Sequence, residues 1–76
     1  MDGKLPRVTA QQMLGALGRD GWLVSRQSGS HAILRHPVKR GRVVVPRHPG
    51  RVLKVGTVAA ILTQAQISAD EFRRLL

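Results

Sequence analysis

Proton transfer near neutral pH falls most naturally to imidazole, which can both take and give a proton there. The chain has three, His31, His36 and His48. His31 has the most suggestive setting. It closes the stretch Gln27-Ser28-Gly29-Ser30-His31, which separates two apolar-rich runs, Trp22-Leu23-Val24 and Ala32-Ile33-Leu34. A Ser-Gly pair between two such runs has the composition of a tight hairpin turn, so His31 should open the second of two strands, beside solvent. The acids are Asp2, Asp20, Asp70 and Glu71, so residues 21 to 69 carry no carboxylate, yet the same stretch holds Arg26, Arg35, Lys39, Arg40, Arg42, Arg47, Arg51 and Lys54. A protonatable His within an anion-attracting segment suggests chemistry on a phosphodiester. As a base it would take the proton of a ribose 2′-hydroxyl, which then attacks the adjacent phosphorus; as an acid it, or a partner, would protonate the leaving 5′-oxygen. The bland alternative is a structural His whose ring caps the turn.

The charge supports a polyanionic partner. Thirteen Lys and Arg against four acids give a net charge of +9, and the cations are segregated rather than interspersed. Phosphate contacts from such a face are strongly salt-dependent. A solvated basic surface, or an acidic protein partner, would satisfy the same charge. The eight cations are candidate phosphate ligands and stabilisers of the charge on a pentacoordinate phosphorus. His36 precedes Pro37, which holds its backbone extended and favours packing or hydrogen bonding at an edge. His48 follows the third apolar run and is read as an RNA-contact or structural residue, with a second proton carrier as the sharper option. Trp22 could stack a base but fits a core position better. Gly56-Thr57 reads equally as an anion seat at a helix start and as simple capping. Three His without cysteine or nearby carboxylates lack zinc-ligand spacing, so no metal site and no cofactor are expected.

The elements that must position these groups are legible in order. Thr9 and Gln12 form a capping box, with Val8 and Met13 as its hydrophobic staple. A first helix is expected over residues 10 to 18, ended by Gly18 and Gly21. A first strand covers 22 to 27, with Trp22, Val24 and Arg26 on one face and Arg26 reaching to the rim. The second covers 31 to 35, with His31, Ile33 and Arg35 on one face and Ala32 and Leu34 on the other. The third, 42 to 46, is closed by Pro46. A helix follows over about 54 to 66, and Ser68 with Glu71 forms a second capping box that opens a short last helix. Three short strands with short connections read as an antiparallel meander covered by helices, an α+β domain.

Seventy-six residues allow one domain with one small core, burying about 60% of the unfolded surface. There is no cysteine, which suits a reducing cytoplasm. No apolar run approaches the ~20 residues of a membrane span. The opening Met1-Asp2-Gly3-Lys4 lacks the apolar core of a secretion signal.

Taken in order, Gly21-Trp22, Arg26-Gln27 leading into Gly29-Ser30-His31, Arg35-His36-Pro37, Val43-Val44-Val45-Pro46, His48, Leu53-Lys54 before Gly56-Thr57, Ile61-Leu62, Ala65, Ile67-Ser68 and Glu71-Phe72 resemble the HicA toxin family. That family is the mRNA interferase half of bacterial HicAB toxin–antitoxin pairs. The resemblance implies a double-stranded-RNA-binding-domain-like α-β-β-β-α fold that cuts mRNA without a metal, and a HicB-like antitoxin that covers it. It matches His31 to the catalytic His. Arg26, Ser30, Arg35, Lys39, Arg40, Arg42, Arg47, His48 and Lys54 are then the expected RNA contacts. Ala32 stands where the family often has a second His or an aromatic. Val55 replaces a common Pro before Gly-Thr, and Val58-Ala59-Ala60 lacks the usual cations. Two other functions fit the same residues. One is an RNA-binding module that does not cut, and the other is an interaction domain for an acidic protein.

Overall fold

The computed structural model describes residues 4–76; residues 1–3, where Asp2 and the start of the leader reading fall, lie outside the described residues. The order is α1 (Ala10–Arg19), β1 (Leu23–Ser28), β2 (His31–Arg35), β3 (Val43–Pro46), α2 (Val55–Ala65) and α3 (Ala69–Leu75). This is the expected helix, three strands, helix and short helix. The strands form one antiparallel sheet in the order β1-β2-β3.

Both capping boxes form as local four-residue patterns require. The Thr9 backbone N–H donates to Gln12 Oε1 at 2.9 Å, and the Gln12 N–H donates to Thr9 Oγ1 at 3.2 Å. Ser68 and Glu71 repeat the exchange at the start of α3. At the other end of α1 the helix runs one residue beyond expectation. The Trp22 N–H donates to Leu17 O at 2.9 Å and the Gly21 N–H to Gly18 O at 3.0 Å, a Schellman ending with Gly21 at φ +105°. Trp22 therefore belongs to this ending and not to the strand. It swings into the core, where it is 1% exposed, in the same buried cluster as Leu17, Met13 and Phe72.

The core lies between the helices and one face of the sheet. Ala32 and Leu34 of β2 and Val43 and Val45 of β3 point inward and are buried. They pack with Met13, Ala16 and Leu17 of α1, Val58, Ile61 and Leu62 of α2, and Phe72 of α3. Alternation then fixes the opposite face, which carries His31, Ile33 and Arg35 on β2 and Val44 and Pro46 on β3.

β1 departs from the expected alternation. All six of its residues are exposed, and the pairing shifts between Val24 and Arg26. Val24 stands opposite Leu34, but Arg26 stands opposite Ile33. Ser25 is thus the extra residue of a bulge, which moves Arg26 from Val24's side to the open side of the sheet. The anticipated shared face for Trp22, Val24 and Arg26 does not form.

Candidate nucleic-acid interface

His31 is held by its backbone and left free by its side chain. It pairs with Ser28 on β1 and with Pro46 on β3. The connecting loop is the two-residue Gly29-Ser30, with Gly29 at φ +58°, the left-handed first position that a type II′ hairpin turn asks of glycine. The Arg47 N–H donates to Ser30 O, which carries the β2–β3 ladder one step past His31. The imidazole is exposed and makes no hydrogen bond among the described residues. The structural-cap alternative therefore has no bond to support it.

Around this end of the sheet the structure gathers part of the expected set. Ser30 and Arg47 join across the ladder, and the Arg47 guanidinium donates to Gln27 Oε1 at 2.8 Å. Arg26 shares the open face two positions along β1 from His31's partner Ser28. Beyond β3 the chain returns to the start of α1, where the Leu53 N–H donates to Val8 O at 2.8 Å and Thr9 bridges Val52. This return places His48 between two clefts. One, of about 280 Å³, is walled by Pro46, His48, Arg51, Lys54 and Thr57. It opens at the start of α2, whose cap residue Lys54 makes no side-chain capping bond and whose first turn holds no acid. Unpaired N–H groups at such a helix start favour an anion, and Thr57 adds a hydroxyl. The other cleft, of about 510 Å³, lies between Ala10, Gln11 and Leu14 of α1 and the loop His48-Pro49-Gly50. His31 lines neither; it stands on the open sheet face beside Pro46.

Arg35, Arg40 and Arg42 are exposed at the other end of the sheet, Arg35 four residues and roughly 13 Å of strand from His31. Arg35 donates to Gly41 O at 3.3 Å across that turn. Lys39 joins neither group. Its ammonium donates to Asp20 Oδ2 at 2.7 Å, to Ala65 O at 3.0 Å and to Gln66 O at 3.2 Å. All three protons are used. Lys39 neutralises Asp20 and caps the C-terminal end of α2, where a cation opposes the helix dipole.

His36 also has a scaffolding place, at the edge where its Pro37 neighbour put it. Its Nδ1 accepts the N–H groups of Val38 and Lys39, both at 3.0 Å. With that nitrogen an acceptor, Nε2 carries the proton and donates to Asp20 O at 2.7 Å. The ring packs edge-on against Trp22 with centroids 5.1 Å apart. A side chain on Gly21 would place its Cβ 2.7 Å from Nε2, which is why glycine stands there.

Among the described residues no three His, Cys, Asp or Glu side chains gather where a metal could sit. No described helix is long and apolar enough to cross a membrane. Gln11 carries no signal of its own in the sequence, being an exposed helix residue, yet it lines the larger cleft together with the 47–50 loop. The profile of a family described as HicA toxin of bacterial toxin-antitoxin matches residues 10–67 of the 76-residue chain. No curated protein matches it.

Proposed function

The chain belongs to the HicA toxin family of bacterial toxin–antitoxin systems, and from that membership we propose that it is a metal-independent endoribonuclease acting on mRNA, with His31 as its essential acid/base. The observation that carries the reading is the exposed, unbonded imidazole of His31 on a sheet face free of carboxylates and next to a group of cations. Asp20 is tied to Lys39, and Asp70 and Glu71 are on α3, so none of them competes with the phosphate for the cations beside His31.

His31 takes the proton of a ribose 2′-hydroxyl. The freed oxygen attacks phosphorus, the bond from phosphorus to the 5′-oxygen breaks, and that oxygen leaves with a proton. The products are a 2′,3′-cyclic phosphate and a 5′-hydroxyl. Of the other imidazoles, His36 is engaged through both nitrogens, which leaves His48 as the one free to serve as a second carrier. Arg26, Arg47 and Lys54, with Ser30 at the turn, hold the phosphates and offset the charge that develops on phosphorus. Arg35, Arg40 and Arg42 extend the basic surface along the strand. Proton transfer by one positioned group is worth about 10²- to 10⁴-fold, which suits a slow toxin. Its partner is a HicB-like antitoxin with an acidic face that covers the cations, and both act in the cytoplasm.

Incubating a defined RNA with wild type and with His31→Ala in EDTA tests the reading. Wild type is expected to cut and the variant, folded as judged by circular dichroism, to leave the RNA intact. Equal cutting by both would remove His31 from the chemistry. Salt-sensitive binding by both with no cutting would leave an RNA-binding module.

A further inference from the structure

Two clefts share His48, and they differ in chemistry. The smaller has Arg51 and Lys54 at the start of α2. In the larger the one formal charge is Arg47, one of whose guanidinium N–H groups donates to Gln27 Oε1. Its walls are otherwise apolar or neutral: Ala10, half-buried Leu14 and the exposed Pro49, with the exposed Gln11 and His48 completing the lining. At about 510 Å³ it falls in the ~300–1,000 Å³ range of small-ligand sites.

We infer that this larger cleft is a binding site for one unstacked nucleobase of a single RNA strand, with the Gln11 amide reading the base edge; this rests on the endoribonuclease reading for its RNA ligand. The lining favours a base over a second phosphate, because it has one cation at its edge, Arg47, whereas Arg51 and Lys54 both line the neighbouring cleft. It favours a flat ring over an alkyl chain, because the apolar walls are joined by a donor–acceptor amide and an imidazole that can stack. Proteins read RNA sequence in this way, on splayed-out bases stacked on rings and hydrogen-bonded at their edges. Gln11 is free to do so. The neighbouring polar side chains Thr9 and Gln12 are used up in the capping box, whereas Gln11 makes no hydrogen bond among the described residues. A side-chain amide presents one acceptor and two donors on one plane, the pattern that distinguishes one base edge from another. With His48 common to both clefts, a strand crossing the loop sets a phosphate against Arg51 and Lys54 while an adjacent base enters beside Gln11.

The test is an amide chemical-shift titration of the full wild-type chain with the four nucleoside 5′-monophosphates, which hold no scissile bond, and with inorganic phosphate, at constant ionic strength. One nucleotide is expected to shift Gln11, Leu14 and Gly50 more than the other three do, while inorganic phosphate moves only the region of Lys54 and Thr57. Equal shifts from all four at those residues, shifts matched by inorganic phosphate, or none there overturn the inference. In cleavage profiling over a randomised RNA, Gln11→Ala should weaken the preference at one position about tenfold. An unchanged profile overturns the assignment of Gln11. If wild type cuts no RNA, the endoribonuclease reading fails while the nucleotide titration still decides the cleft.

Discussion

Replacing Lys39 by Met separates the cations that hold the fold from those that face the ligand. The substitution keeps the apolar stem and removes the ammonium. Asp20, whose side chain is 17% exposed, then loses its 2.7 Å partner, and the carbonyls of Ala65 and Gln66 lose their donor at the end of α2. Hydrogen bonds to charged groups contribute about 1.5–3 kcal/mol, and partial exposure of both side chains discounts the sum, so the expected loss is about 2 kcal/mol. For a domain of this size each kcal/mol shifts the melting temperature by about 4–8 °C, which gives a fall of roughly 8–16 °C. Far-UV circular dichroism melts read it directly. Adding Asp20→Asn should cost less than its separate effect, because the two groups share one network. RNA binding as a function of salt supplies the contrast, since loss of a phosphate contact lowers the log–log slope by about one. Lys39→Met is expected to leave the slope unchanged. A melting shift under about 3 °C, typical of an ordinary surface substitution, together with a reduced slope, would place Lys39 on the RNA and not in the scaffold.

Gly21→Ala sets a Cβ 2.7 Å from His36 Nε2 at φ +105°, and a loss of about 2–4 kcal/mol is expected in urea unfolding. Gly29→Ala meets no atom within 4 Å and bears only the cost of φ +58°, about 1 kcal/mol; equal losses for the two would count against the His36 contact as the cause. Gln66 ends α2 at φ +58°, so Gln66→Gly should stabilise by about 0.5–1 kcal/mol in the same assay, and a loss would show that the side chain outweighs the backbone strain. Arg26→Ala and Lys54→Ala should each lower the salt slope of RNA binding by about one with little change in melting temperature, and unchanged slopes would take them out of the interface.

What the sequence disclosed was what is local. Thr9 with Gln12, and Ser68 with Glu71, are four-residue patterns whose bonds close within one turn, and both formed. The alternation of β2 was readable because Ala32 and Leu34 answer a single buried face. β1 was not, because a bulge at Ser25 leaves no mark in composition yet reverses the side on which every later residue falls. The same limit explains Lys39. Its charge was visible, but its partners are Asp20, 19 residues earlier, and the end of α2, 26 and 27 residues later. His36 was placed correctly at an edge because Pro37 restricts its backbone locally. Gln11 had no signal of its own, since its cleft exists only once the 47–50 loop lies against α1.

Attack by the RNA's own 2′-oxygen, with His31 as its proton acceptor, is open to a direct test on the substrate. A synthetic RNA cut by the wild-type chain would be compared with the same RNA carrying a single 2′-deoxy residue just before the cleaved bond, and the product ends determined by mass spectrometry. The expected result is a 2′,3′-cyclic phosphate and a 5′-hydroxyl from the first and no cut at that bond in the second. Cutting at the deoxy position, with 3′-hydroxyl and 5′-phosphate ends, would show that water attacks instead and that the 2′-oxygen is not the nucleophile.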